Sequence, residues 1–199
     1  MMTGRDLWTE WATALVDTPW RALAPLLHAG VAPETLLLTL PAATRATVRS
    51  GGLFEPDDRE GGACFILPVR VDDPNSPETS DPAGVLHDGE IIDLLAFHPS
   101  HPRRWALRVG AASWLGAVEP QYCDPAPVRI RQTPLDWLQA GGDGLVLLGN
   151  RLDRHRILAG LRSIVADDGH HANELRGILQ QPWRAPPVVI AREGRRHAA

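Results

Sequence analysis

The chain has 199 residues, of which 44% are hydrophobic and 22% charged, and its formal net charge is −4 at pH 7. This length and balance predict one soluble domain, or one domain with a small helical appendage, and the net charge excludes a global attraction for nucleic acid. All 20 basic residues are Arg, so the chain lacks the lysine that P-loop NTPases, protein kinases and pyridoxal enzymes require.

Helical patterns dominate the first block, residues 1–52. Apolar residues recur at the spacing of one helix face over residues 7–16. A second predicted helix begins at the Thr-Pro pair of residues 18–19 and ends at Gly30, and the sequence ETLLLTL predicts a third. The apolar core of a signal peptide is missing here, and no run of about 20 apolar residues follows. We therefore expect a cytoplasmic protein without membrane contact.

The end of this block predicts a fourth helix over residues 41–50, with Arg45 and Arg49 one turn apart. These two side chains are candidate phosphate contacts, although a solvated helix face explains them equally well. The preceding sequence LLHAGVAPETL has the rhythm of a helix-turn-helix. Its second helix, LLLTL, offers almost no polar side chains for base edges, so we do not expect it to read DNA.

Three tryptophans, Trp8, Trp11 and Trp20, lie in the first two predicted helices. They exceed what a small helical block usually buries. Exposed aromatic side chains would anchor a protein partner, whereas core packing is the structural alternative.

Strand patterns begin at residue 62. The sequences GACFILPVRV and EIIDLLAFHP predict an antiparallel pair joined by a surface loop that includes residues 72–84. Cys64 lies in the first strand, far from Cys123. This spacing excludes a CxxC metal or redox site and predicts a buried, reduced Cys64, with a single disulfide as the alternative.

A proline-rich turn, FHPSHPRRW, follows the second strand and contains His98, His101, Arg103 and Arg104. The prolines prevent a helix that would align the two histidines for a metal ion, so we predict a surface turn. Arg103 and Arg104 are further candidate contacts for nucleic acid. Farther along, VRIRQ predicts an edge strand and PLDWLQ a short helix that ends at two glycines.

Residues 144–179 predict a strand-helix-strand-helix unit with a parallel, right-handed crossover. Its second strand ends at Asp167 and Asp168, followed by His170 and His171. Carboxylates at the carboxyl end of such a strand are placed where α/β folds bind ligands, and His with Asp suits a divalent metal ion. The same residues also fit a helix N-terminus, where acidic side chains complement the helix dipole.

This unit resembles the toprim half of bacterial and phage primases, and FILPVRV, DGEIIDLLAF and WALRVG resemble the module ahead of it. The resemblance covers roughly residues 62–181 and implies metal-assisted phosphoryl chemistry. However, Gly149-Asn150 stands where the family has a Glu, and Asp167 and Asp168 are adjacent rather than separated by one residue. The resemblance therefore implies a degenerate, non-catalytic relative.

We predict an α/β (α+β) protein: the helical block 1–52, a mixed α/β domain over residues 62–191 with a last strand at 186–191, and a disordered basic tail at 192–199. The predicted function is that of a non-catalytic accessory or regulatory protein, linked to DNA replication in a phage or mobile element. A protein partner is expected, and no cofactor is predicted. The alternatives are a metal-dependent phosphoryl-transfer or hydrolytic enzyme centred on Asp167 and Asp168, and a partner-binding module that uses the N-terminal tryptophans.

Overall fold

The structure is a computed structural model and describes residues 6–71, 90–116 and 127–180. The first of these ranges begins with helices. They are α1 (Leu7–Val16), a 3-10 helix (Trp20–Leu23), α2 (Ala24–His28) and α3 (Pro33–Thr39). The Asp6 carboxylate caps α1 by accepting the backbone N–H of Thr9. Leu40 ends α3 in the left-handed conformation, with φ of 46°. The first and third predicted helices are confirmed, and the second is a 3-10 helix that continues into α2.

The segment after α3 is a strand, β1 (Ala42–Val48), so the helix predicted over residues 41–50 is wrong. The β-branched side chains of Thr47 and Val48 favour an extended backbone. In addition, β1 pairs with a strand on each side, which satisfies its backbone hydrogen bonds. The helical part of the predicted block 1–52 therefore ends with α3.

Five antiparallel strands form the first sheet, in the order β2-β1-β3-β4-β5. Its other members are β2 (Phe54–Pro56), β3 (Gly62–Val71), β4 (Glu90–Phe97) and β5 (Trp105–Leu107). Strands β3 and β4 are the predicted antiparallel pair, with Phe65 opposite Phe97. Helix α1 packs on this sheet. Its Trp11 is 2% exposed and donates the indole N–H to the Leu40 carbonyl at 3.2 Å.

The second sheet is mixed and has the strand order β6-β8-β7-β9. Its strands are β6 (Trp114–Leu115), β7 (Val128–Arg131), β8 (Leu145–Leu147) and β9 (Ile164–Ala166), and its helices are α4 (Pro134–Gln139), α5 (Arg151–Gly160) and α6 (Gly169–Gln180). The predicted strand-helix-strand-helix unit, β8-α5-β9-α6, is confirmed. Strand β7 was predicted at an edge, but it lies between β8 and β9 and is parallel to both, because the α5 crossover carries the chain past it.

The two sheets share an apolar core. Its buried members come from both sheets, from α4 and from the helices between residues 20 and 39, and they include Phe65, Leu67, Phe97, Leu138 and Val146. This packing brings the turn after β4 against the end of β7, where the Arg103 guanidinium donates to the Gln132 side-chain oxygen at 2.7 Å. The contact between these two segments creates the cleft in which the candidate site lies.

The mixed α/β class with helices at the N-terminal side is confirmed. Among the described helices, none combines the length and apolar composition that a bilayer span requires. Several predictions fall outside the described residues: the loop at 72–84, Cys123, the last strand at 186–191 and the tail at 192–199.

Candidate functional site

Asp168 caps the N-terminus of α6. Its Oδ1 accepts the backbone N–H of His171 at 2.7 Å, and its Oδ2 accepts a hydrogen bond from the Gln132 side-chain amide at 3.1 Å. A hydrogen bond from the N–H of residue i+3 to the side chain of residue i is the defining contact of a helix N-cap. The capping interpretation of this segment is therefore confirmed.

Asp167 and His170 are also engaged within the protein. The Asp167 carboxylate accepts hydrogen bonds from the Arg131 guanidinium at 3.0 Å and from the backbone N–H of Gln132 at 3.2 Å. His170 pairs with Glu174 at 3.1 Å. Within the described ranges, no three His, Cys, Asp or Glu side chains are grouped so that they could hold a metal ion. The structure therefore does not assemble the four predicted metal ligands, Asp167, Asp168, His170 and His171, into one centre.

We expect Asp168→Ala to destabilise the protein at neutral pH and to have a smaller effect in acid. The backbone N–H of His171, assisted by the Gln132 amide, holds the pKa of the Asp168 carboxyl below its usual value of 3.8. A carboxyl group with a lowered pKa stabilises the fold above its unfolded pKa, and this stabilisation is lost as the pH falls through the folded pKa. Thermal unfolding of the wild type and of Asp168→Ala between about pH 7 and about pH 2.5 measures the difference in their stability at each pH. An equal difference at both ends would contradict the expectation.

A pocket of about 170 Å³, here called the closed pocket, lies at the carboxyl ends of β7 and β8 beside α5 and α6. The carboxyl ends of parallel strands are where open α/β sheets bind ligands. Its polar lining comprises Arg103, Arg131, Gln132, Arg154, His171 and Glu174. Arg131 is paired with Asp143 and Asp167, so the positive charge that favours an anion in this pocket comes from Arg103 and Arg154, which face one carboxylate, Glu174.

A wider groove of about 840 Å³ adjoins the closed pocket and shares Arg103, Trp105 and Arg154 with it. The groove follows the end of the first sheet, where β1 and β3 to β5 contribute small apolar side chains. These include Ala46, Val48, Ala63, Ala96 and Ala106, and the turn after β4 adds His98, His101 and Arg104. The closed pocket and this groove together are called the basic cleft.

Two of the four predicted nucleic-acid contacts, Arg103 and Arg104, line the basic cleft. Of the other two, Arg45 lies on β1 and Arg49 directly follows it, and neither lines the basic cleft. Arg49 instead pairs with Glu55 on the neighbouring strand at 2.9 Å. The prediction for Arg45 and Arg49 used a helical spacing that the strand does not have.

Arg154 is a cleft residue that sequence reasoning misses. It lies on α5, which Asn150 caps by accepting the backbone N–H groups of Leu152 and Asp153. The Arg154 Nε donates to the Gly149 carbonyl at 2.8 Å, which anchors the side chain. Burial lowers the pKa of this guanidinium, partly offset by the charge of Glu174, and arginine remains charged at neutral pH. In the sequence, only the position of Arg154 along the predicted helix could have indicated that its side chain faces the cleft.

Cys64 also lines the groove and is a free, half-buried thiol. The predicted free thiol is confirmed, but it is half-buried where the sequence predicted a buried one. Burial raises the pKa of this thiol to about 11. Since the thiolate is the reactive form of cysteine, the neutral thiol serves as an apolar wall at physiological pH.

The three predicted tryptophans have different environments. Trp11 is buried in the core beneath α1, whereas Trp8 and Trp20 are about half exposed. The Arg70 guanidinium lies 5.9 Å from the ring centre of Trp8 and 5.3 Å from that of Trp11. The partner-binding hypothesis therefore depends on Trp8 and Trp20, since Trp11 supports the fold.

The chain matches no family model, no curated protein and no solved structure. The toprim resemblance therefore stays a prediction. The interpretation of the basic cleft rests on its own geometry and chemistry.

Proposed function

We propose that the protein is a non-catalytic accessory protein that binds single-stranded nucleic acid in the basic cleft. The observation that carries this proposal is the convergence of Arg103, Arg104 and Arg154 on one groove with an apolar lining. Arginine supplies sequence-independent contacts to phosphate, and an apolar groove with aromatic rings accepts unpaired bases.

The charge of these arginines is available to a ligand. Among the described residues, none of the three forms an ion pair with a carboxylate. Arg103 contacts the neutral amide of Gln132, and Arg154 contacts a backbone carbonyl. The net charge of −4 therefore does not prevent a local attraction for phosphate.

Aromatic rings accompany the arginines. Trp105 is half-buried at the junction of the pocket and the groove, and the rings of His98 and His101 lie 6.0 Å apart on the turn after β4. Stacking on such rings requires a base with a free face, which a single strand offers and a duplex hides. The combination favours single strands.

A link to DNA replication in a phage or mobile element is the biological context that we propose. It rests on the toprim-like order of β8, α5, β9 and α6 and on the degenerate acidic motif. The engaged carboxylates of Asp167 and Asp168 favour binding over metal-assisted chemistry. An accessory role at a single-stranded region fits both features.

Fluorescence anisotropy with a labelled oligothymidylate, at several salt concentrations, tests this function. The variant Arg103→Ala/Arg104→Ala should bind about tenfold more weakly near 0.1 M salt, with a salt slope smaller by about 1.4, because two phosphate contacts are lost. The exposed pair Arg21→Ala/Arg59→Ala lies outside the cleft and is the matched control.

Two results would overturn the proposal. One is the absence of salt-dependent binding by the unmodified protein. The other is an equal loss of affinity in the cleft variant and in the control variant, since net charge alone would then explain the effect. A duplex of the same length should bind more weakly than the single strand.

A further inference from the structure

The closed pocket contains a buried histidine with an unused donor. His171 lines the pocket and is 4% exposed. Because its Nδ1 accepts the backbone N–H of Asp167 at 3.3 Å, the ring carries a proton on Nε2. Within the described part of the chain, Nε2 has no hydrogen-bond partner. This N–H is therefore available to a bound group.

Arg154 offers a second donor group in the same pocket. Its Nε is held by the Gly149 carbonyl, and its two terminal nitrogens have no hydrogen-bond partner among the described residues. A guanidinium with free terminal nitrogens matches two oxygens of a phosphate group. The one carboxylate of the pocket, Glu174, contacts His170 at 3.1 Å and attracts Arg154, while Arg103 adds a second guanidinium without a carboxylate partner to the lining.

Arg131 has a different part in this pocket. Its terminal nitrogens contact the carboxylates of Asp167 and Asp143 at 3.0 and 3.1 Å, and its side chain is only 13% exposed. Two carboxylates neutralise its charge, so it shapes the wall and leaves ligand binding to the other donors. The ion pair with Arg131 also holds Asp167 in place, and the backbone N–H of Asp167 orients the His171 ring.

We propose that the closed pocket binds a terminal phosphate group of a nucleic-acid strand, held by Arg154 and His171. This inference rests on the proposed function and adds recognition of the strand end. A volume of about 170 Å³ is well above the roughly 10–15 Å³ that one water molecule needs by this measure, so the pocket has room for a phosphate group. The following nucleotides then lie in the adjoining groove, which Arg103 and Trp105 share with the pocket.

The test compares three labelled oligothymidylates that carry a 5′-phosphate, a 3′-phosphate or hydroxyl groups at both ends. One of the two phosphorylated strands should bind at least about tenfold more tightly than the unphosphorylated strand. Inorganic phosphate in excess should remove this preference. Arg154→Gln should lose the preference while it still binds the unphosphorylated strand.

Arg156→Gln is the matched control, because Arg156 is exposed on the same helix and does not line the pocket. Since His171 is buried, circular dichroism should first verify the fold of His171→Gln, which should then show the same loss as Arg154→Gln. Equal binding of all three strands would overturn this inference and leave the proposed function intact. Binding of none of them would overturn the proposed function itself.

Discussion

Asp93→Ala is expected to reduce the free energy of unfolding by about 4 kcal/mol. Asp93 is fully buried in β4, between apolar neighbours on both sides. Its carboxylate accepts backbone N–H groups at 2.7 to 3.2 Å. The donors are Leu94, Arg108 and Val109 to Oδ1, and Ala111 and Ala112 to Oδ2.

The cost arises from donors that lose their acceptor. Ala112 is 3% exposed, so water cannot easily replace the carboxylate at its N–H group, whereas the Arg108 N–H keeps a second acceptor, the Leu94 carbonyl at 2.9 Å. A buried polar group without a partner costs about 1–3 kcal/mol, and relaxation of the 108–112 segment recovers part of the sum. A loss of about 4 kcal/mol is a large fraction of the stability of a typical domain.

Urea unfolding, followed by circular dichroism, measures this change. Asp93→Asn should lie between the wild type and Asp93→Ala, because the amide keeps one acceptor oxygen and places an N–H₂ group against backbone donors. The exposed Asp58→Ala is the control and should change stability by less than about 0.5 kcal/mol. A loss below about 1 kcal/mol for Asp93→Ala would contradict the expected role.

The same network matters for the cleft. Residues 108–112 connect β5 of the first sheet to β6 of the second. Asp93 holds this connection to β4 of the first sheet, and the basic cleft lies where the two sheets meet. We infer that Asp93 positions the cleft indirectly, although it does not line it.

The elements that sequence reasoning predicts correctly carry local signals. The unit from β8 to α6 has apolar runs of strand length, an Asn cap at Asn150 and an Asp cap at Asp168, and each signal acts within four residues. The pair β3 and β4 has long apolar strands on both sides of a polar loop sequence. Neighbouring residues suffice to specify such elements.

The features that sequence reasoning misses depend on distant partners. Ala42–Val48 contains no decisive local pattern, and its pairing with β2 and β3 makes it a strand. Asp93 appears in the sequence only as a polar interruption of a strand. The cleft joins Arg103 to Arg154 across 51 positions of the chain, and this proximity follows from the packing of the two sheets.

Arg108→Met is expected to reduce the free energy of unfolding by about 3 kcal/mol. The Arg108 side chain is 6% exposed, and its Nε donates to both Glu10 oxygens at 2.8 and 3.0 Å. Its Nη1 donates to the Phe54 carbonyl at 3.2 Å, so the side chain ties α1 to the first sheet. Its removal leaves the Glu10 carboxylate, 21% exposed, without its partner in a poorly hydrated site.

The double variant Arg108→Met/Glu10→Leu should recover much of this loss, because neither charge then remains buried alone. Urea unfolding of the wild type, both single variants and the double variant gives the coupling energy, which we expect at about 2 kcal/mol. The exposed pair Arg49 and Glu55 has nearly the same distance, 2.9 Å, and its coupling should stay below about 1 kcal/mol. Equal coupling in the two pairs would show that burial of the Arg108–Glu10 pair adds nothing, and α1 would then be held to the sheet by Trp11 and its apolar neighbours alone.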